Sequence, residues 1–318
     1  MSIHLQAPHR VLVTPRSLTQ VGPDGARALA TLRSANYVLV SPPPGETPSE
    51  DELVELVAGC VGWVAGVEPI TERVLAAATS LRVISRNGAG VDNIELGAAE
   101  SRGIHVLRAP GANAQGVAEL ALALALDALR GVTWSAEGLR GGEWRRRRGR
   151  ELPDLTVGVV GLGAVGRRVA AAFAALGASV VGHDPYAQVV GIDVLPLDAL
   201  VARADILTLH SPPAADGRPL VDSALLSQVR HGAVLINTAR ASLVDDDAVL
   251  AALESGQLSG YAVDAFRREP PEVTALLRHE RTIATPHLGG YTDASVRRAG
   301  DEAIANLIAA LAVEGQRR

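Results

Sequence analysis

Residues 156–166 read Thr156-Val-Gly-Val-Val-Gly161-Leu-Gly163-Ala-Val-Gly166 and lead into an alanine-rich stretch ending at Leu176. A β-branched run, three glycines spaced GxGxxG and a helix-forming stretch predict strand, tight turn and helix, in that order. Gly161 permits the turn, Gly163 lets the backbone approach a pyrophosphate, and Gly166 allows close helix–strand packing. Free N–H groups at the helix start would face that anion. The glycine pattern alone also fits an ordinary turn. Here a second apolar run, Ser179–His183, ends at Asp184, where an acid accepts both ribose hydroxyls of an adenosine half. Such an acid repels a 2′-phosphate, so the pair of signals predicts a site for NAD rather than NADP. The plainer alternative for Asp184 is a capping residue before Pro185.

Outward from this turn, short β-branched runs alternate with Ala/Leu-rich stretches. Strands are expected at Val11–Thr14, Tyr37–Val40, Val61–Ala65, Leu81–Ser85 and Ile104–Leu107. A second set is expected at Thr156–Val160, Ser179–His183, Ile206–Leu209, Ala233–Asn237, Gly260–Val263 and Thr282–Ala284. Most are continuously apolar, as strands buried on both faces must be. Helices fit between them at Glu50–Ala58, Ala164–Leu176, Ser223–Val229 and Asp245–Ser255. The alternation predicts α/β architecture with two doubly wound parallel-sheet domains. A length of 318 residues agrees with two cores rather than one. Between the strand sets lie a helix, Ala114–Arg130, and a polar stretch, Gly138–Pro153, read as a solvated connector. The helix is apolar nearly all round and should be buried between layers or subunits. A final long helix is expected over Thr292–Leu311.

Composition narrows the chemistry. With 47% apolar and 20% charged residues, the chain is neither disordered nor fibrous. All 30 basic residues are Arg, so lysine chemistry of any kind is excluded. A net charge of −5 gives no global case for nucleic acid or an anionic membrane. The run Arg145–Arg148 lacks the further basic clusters and interleaved aromatics a nucleic-acid face needs. One cysteine, Cys60, forms no intrachain disulfide or cysteine-cluster metal site, and no metal is expected. No signal peptide or bilayer-spanning run is evident, so a cytoplasmic protein is expected.

The second strand set ends in chemistry-bearing residues. Arg240 follows the Ala233–Ala239 run, Glu269 lies in Phe266-Arg-Arg-Glu-Pro-Pro271, and His287 follows Thr282–Pro286. Loops beyond the carboxyl ends of parallel strands are where ligands bind in such sheets. Hydride transfer at a hydroxy acid needs a cation on the carbonyl and carboxylate, an acid/base, and a group that orients the base. Arg240, His287 and Glu269 supply these in turn. Singly, each is as easily a surface ion pair, a strand-end hydrogen bonder or a loop charge; the joint arrangement favours function.

Over nearly its whole length the chain resembles the NAD-dependent D-2-hydroxyacid dehydrogenase family, nearest its phosphoglycerate dehydrogenase and hydroxypyruvate reductase branches. The resemblance rests on Asn87-Gly-Ala-Gly-Val-Asp-Asn-Ile94, Gly103-Ile-His-Val, Val117-Ala-Glu119, Gly142-Glu-Trp144 and Gly161–Gly166. It continues through Ile236-Asn-Thr-Ala-Arg240, Val263-Asp-Ala-Phe266, Glu269-Pro-Pro and Pro286-His-Leu-Gly-Gly290. It implies a Rossmann NAD domain (108–288) inserted in a flavodoxin-like substrate domain (1–107 with 289–318). It also implies that Arg240 binds substrate, that His287 is the acid/base, and that Glu269 is its partner. Asp264 would bond the nicotinamide carboxamide, and the backbone of Ala164 and Val165 the pyrophosphate. Ser211, Thr238 and Gly289 would line the cofactor. The backbone of Ala89 and Gly90, with Asn87 nearby, would hold the substrate carboxylate. The implied substrate is a small 2-hydroxy or 2-oxo acid of the 3-phosphoglycerate, hydroxypyruvate or glyoxylate type, and the helix after Asn113 would pair two copies in a homodimer. An NAD(H)-sensing protein, like the family's transcriptional corepressor relatives, is the alternative from another class.

Two departures bear on function. The family usually has Gly after its catalytic Arg, whereas Ala241 stands here, which is tolerable only at negative φ. Phosphoglycerate dehydrogenases often carry Arg in the stretch matching Ala65–Thr71, which holds no basic residue here; Arg86 is the nearest cation.

Overall fold

The computed structural model describes residues 9–20, 27–214 and 216–316. Residues 1–8, read above for a targeting segment, lie outside the described residues. The chain divides into a smaller unit, residues 1–113 with 293–318, and a larger one, residues 114–292. These cuts fall a few residues beyond those expected after 107 and 288. Among the described residues no helix is long and apolar enough to cross a membrane.

The smaller unit is one parallel sheet of β1 (Arg10–Val13), β2 (Val38–Val40), β3 (Cys60–Ala65), β4 (Val83–Arg86) and β5 (His105–Leu107). Its order is β2-β1-β3-β4-β5, the doubly wound order whose direction reverses between β1 and β3. Alternate side chains serve two cores. Leu12, Trp63 and Ile84 pack with Leu53 and Val74 on one face. Val11, Val13, Val64 and Val83 pack with Ala303, Ile304 and Leu307 on the other. Fully burying each such side chain contributes about 1.5–3 kcal/mol. The last three belong to the helix Asp293–Gln316, which starts and ends later than expected. That helix lies so close to β3 that a Cβ on Gly62 would stand 2.9 Å from Leu311 Cδ1. The helix Glu50–Leu56 starts sharply because Ser49 and Glu52 form a reciprocal capping box.

The larger unit is a seven-stranded parallel sheet of β6 (Thr156–Val160), β7 (Ser179–His183), β8 (Asp193–Val194), β9 (Ile206–Leu209), β10 (Ala233–Asn237), β11 (Leu258–Val263) and β12 (Thr282–Ala284). Its order, β12-β11-β10-β9-β6-β7-β8, reverses between β6 and β9. The helix Ala114–Arg130 spans the expected residues, but among the described residues only one of its faces is covered. Ala118, Ala121, Leu124, Ala125 and Leu129 pack on Val157, Val159, Val234 and Ala262, whereas Ala123 and Leu126 are exposed. A second helix, Val132–Arg140, runs into the stretch read as a connector. That stretch is not wholly solvated: Arg145 and Arg147 sit 5.6 and 4.6 Å from the Trp134 ring centroid, a cation–π arrangement.

Candidate active site

The glycines at the β6 turn are explained one by one by what a side chain would meet. Gly161 has φ +91, and a Cβ there would stand 2.5 Å from Ser211 N and 2.6 Å from His210 C. A Cβ on Gly166 would stand 1.8 Å from the Gly161 carbonyl oxygen. Around a Cβ on Gly163 there would be nothing within 4 Å. Two glycines are thus needed by the protein's own packing, while the third borders open space beside the start of the helix Gly166–Ala175. The first N–H groups of a helix have no carbonyl one turn back to bond, so this space suits an anion.

Asp184 closes the same turn. Its Oδ2 accepts from Leu162 N at 2.8 Å and its Oδ1 from Tyr186 N at 2.8 Å. Burial pushes its pKa up, but the N–H groups of Leu162, Tyr186 and Ala187 outweigh burial and hold the carboxyl below the usual aspartate value. The carboxylate is therefore fixed and ionised where ribose hydroxyls would be recognised. Beneath the turn, His210 Nε2 lies 2.8 Å from Thr208 Oγ1, and burial drives its pKa down to about 3. This imidazole is neutral at physiological pH. Thr238 Oγ1 is buried with no hydrogen-bond partner among the described residues. A buried hydroxyl without a partner is costly, and a bound polar ligand would satisfy it. The open cradle at Gly163, the fixed Asp184 and the orphan Thr238 hydroxyl together fit a dinucleotide.

The remaining residues sit at the carboxyl ends of three adjacent strands. After β10, the turn carrying Arg240 is tied by Asn237, whose Nδ2 donates to Arg240 O at 2.9 Å and whose Oδ1 accepts from Ala239 N at 3.1 Å. Arg240 is half-buried, with Nη1 donating to Ala239 O at 2.9 Å. Ala241 opens a short 3-10 turn and is not among the residues at positive φ, so the extra methyl is accommodated. After β11 come Asp264 and Glu269, and after β12 comes His287. His287 Nδ1 and Glu269 Oε1 are 2.7 Å apart. His287 is one of two non-glycine residues at positive φ, +52°, among the described residues.

That strained backbone has an evident holder. Asp264, 2% exposed, accepts from Thr285 Oγ1 (2.6 Å) and Leu288 N (2.7 Å) at Oδ1, and from Gly289 N (2.8 Å) at Oδ2. The buried carboxylate thus clamps both sides of His287. Gly289 is tight against it: a Cβ there would stand 3.1 Å from Asp264 Oδ2. The structure therefore gathers Gly161, Gly163, Ala164, Val165, Gly166, Ser211, Asp184, Thr238, Arg240, Asp264, Glu269, His287 and Gly289 at strand ends of one sheet. Asn87, Ala89 and Gly90 lie in the smaller unit, in the loop after β4. Sequence reasoning missed Asn237, His210 and Thr285; no local signal marks them, since their partners come from the fold.

Comparison with known proteins identifies the family of the chain. The family model for the D-isomer specific 2-hydroxyacid dehydrogenase NAD binding domain matches residues 122–289. D-3-phosphoglycerate dehydrogenase of Rattus norvegicus is 36% identical over 262 residues, covering 80% of this chain and 49% of the rat protein. The chain spans about half the length of the curated relatives it matches. Among solved structures, the TT0316 protein from Thermus thermophilus superposes with a TM-score of 0.85 at 34% identity, covering 95% of this chain and 96% of that one. A glyoxylate reductase from Paecilomyes thermophila does so at 0.84 and 26%, covering 96% of each chain. With the family model spanning more than half of the chain, the protein belongs to the D-isomer specific 2-hydroxyacid dehydrogenase family, and the cofactor of its larger unit is NAD.

Proposed function

We propose that the protein catalyses the reversible NAD(H)-linked interconversion of a small D-2-hydroxy acid and its 2-oxo acid. The observation that carries this reading is the bond between His287 Nδ1, after β12, and Glu269 Oε1, after β11, the strand that lies beside β10 and its Arg240. Bound NADH supplies the hydride that adds to C2. With Nδ1 engaged by Glu269, His287 presents Nε2 to give a proton to the oxygen on C2, or to take it back in oxidation. Arg240 holds the substrate and offsets the negative charge that develops on that oxygen. Asp264 keeps the His287 loop in place, and its Oδ2 retains capacity for one further donor, such as a carboxamide N–H. The backbone of Ala164 and Val165 receives the pyrophosphate, Asp184 the ribose, and Ser211, Thr238 and Gly289 line the cofactor. Asn87 and the backbone of Ala89 and Gly90 serve the substrate carboxylate. The uncovered face of Ala114–Arg130, carrying Leu126, supports pairing of two copies in a homodimer.

The test is turnover of a panel of 2-oxo acids with NADH, followed by loss of NADH absorbance. Activity is expected, with His287→Ala lowering kcat by roughly 100-fold or more. Arg240→Ala should lower kcat and raise KM together, because a guanidinium holds ground and transition states alike. The alternative, an NAD(H)-sensing binding protein, predicts NADH binding with no turnover of any acid. Full activity in His287→Ala would equally defeat the assignment.

A further inference from the structure

The mechanism above makes no use of Glu68, which is 1% exposed in the loop after β3. Its carboxylate lies at the place where the smaller sheet reverses strand order. Thr14, directly after β1, donates its hydroxyl to Glu68 Oε1, and Gly66 N donates to the same oxygen at 2.8 Å. Trp63 Nε1 donates to Thr14 Oγ1 at 2.9 Å, so both loops are locked around one acid. In a sheet of order 2-1-3-4-5, the crevice beyond these two strands is the expected ligand position.

The backbone of Glu68 is tied to the segment proposed to hold the substrate carboxylate. Asn93 Nδ2 donates to Glu68 O at 2.7 Å and lies within reach of Gly66 O at 3.3 Å. This ties the loop after β3 to the loop holding residues 87–90. Arg86, at the end of β4, interacts electrostatically with Glu68. Its Nη1 donates to Asn87 O at 2.6 Å and would stand 3.2 Å from a Cβ on Gly88. The nearest cation to the substrate loop is therefore already engaged with that loop's own backbone. Space is short as well. A Cβ on Gly66 would stand 2.6 Å from Glu68 Oε2 and 3.1 Å from Pro15 Cα.

We propose that Glu68 is a specificity-determining residue that excludes a second anionic group from the substrate, so the 2-oxo acid reduced here carries no phosphate ester. This deepens the dehydrogenase reading and rests on it. Where pH ionises Glu68, a divalent phosphate near it is repelled, and at every pH Thr14, Gly66 and Glu68 crowd the loop ends where such a group would enter. Arg86 serves to brace the 87–90 loop.

The experiment compares kcat/KM for hydroxypyruvate and for its 3-phosphate ester with NADH, on the alkaline side of neutrality. The parent should prefer the unphosphorylated acid by about tenfold or more, the scale of a screened charge repulsion at short range. Glu68→Gln keeps an acceptor for Thr14 and Gly66 but removes the charge, so the preference should shrink severalfold, whatever happens to each rate alone. In the parent, inorganic phosphate should not compete with hydroxypyruvate, a measurement that stands even if the variant fails to fold. A parent that prefers the phosphate ester, phosphate competition, or an unchanged preference in folded Glu68→Gln overturns the proposal and leaves the dehydrogenase reading intact. Absence of turnover with either acid and with the rest of the panel overturns both.

Discussion

Glu68 and Asp184 are both acids at strand ends, yet their surroundings move them in opposite directions. At Asp184 the backbone donors outweigh burial, and the carboxylate is favoured. At Glu68 burial dominates over the Thr14 hydroxyl, the N–H groups and Arg86, and the carboxyl is pushed above its ordinary value of 4.5. A raised value in the folded state means that the side chain's contribution to stability is fully present below the unfolded value. It is lost as pH rises through the folded one. Glu68→Gln cannot ionise, so it should melt higher than the parent in alkaline buffer, with the gap closing as pH falls below 4.5. Thermal unfolding at the two extremes checks this; a variant that melts lower at both would contradict it. At this scale the sequence shows Arg240, Glu269 and His287 well, because strand-end position and residue type coincide. It hides the clamp: Asp264 meets Leu288 N and Gly289 N only after β11 and β12 lie side by side. Glu68 reads as one more loop charge until β1 and β3 bring Thr14 to it.

The strand–turn–helix element at β6 separates a glycine required by packing from one that only the proposed cofactor site requires. Gly166→Ala drives a methyl into the Gly161 carbonyl, 1.8 Å from the ideal Cβ, and should cost roughly 1–3 kcal/mol or more as the helix is forced away. Gly163 is not at positive φ, and its Cβ would enter open space. Gly163→Ala should therefore keep the parent's melting temperature while weakening NADH binding by about tenfold, because the methyl occupies the pyrophosphate's approach. Melting curves and NADH fluorescence titration separate the two; equal stability loss in both would refute the division. Elements with continuous apolar runs were legible to the residue, as at Thr156–Val160, Ala233–Asn237 and the helix Ala114–Arg130. The strand Asp193–Val194 was not, since two edge residues carry no period. The helix Val132–Arg140 was also missed. Gly131, at φ +61, breaks the pattern, and Thr133, Trp134 and Ser135 are middling helix formers that gain stability only from tertiary packing.

For the molecule as a whole, the half-covered helix Ala114–Arg130 is the feature with consequences for assembly. An exposed Leu126 amid Ala123 and half-buried Leu122 offers apolar area to a second copy. Sedimentation should find a dimer, and Leu126→Arg should weaken it by roughly 100-fold or more, since an unpaired charge would be carried into the contact. A parent that stays monomeric at every concentration would count against the pairing. The division into two parallel sheets was readable from the alternation of runs. The closing of the first sheet by the last helix followed from the resemblance alone, because no local signal says where a terminal helix will dock.

That closing helix also sets a timetable. Strands β1–β5 emerge from the ribosome well before Ala303, Ile304, Leu307 and Leu311, which cover Val11, Val13, Val64 and Val83. The whole of Ala114–Thr292 is made in between. At about 5–20 residues per second, the gap is on the order of ten seconds or more. During that interval the larger unit, contiguous in sequence, has all it needs to fold, while the smaller sheet waits with one greasy face bare. The half of this protein open to aggregation during synthesis is therefore expected to be the smaller sheet, whose apolar face stays bare until the helix Asp293–Gln316 is made.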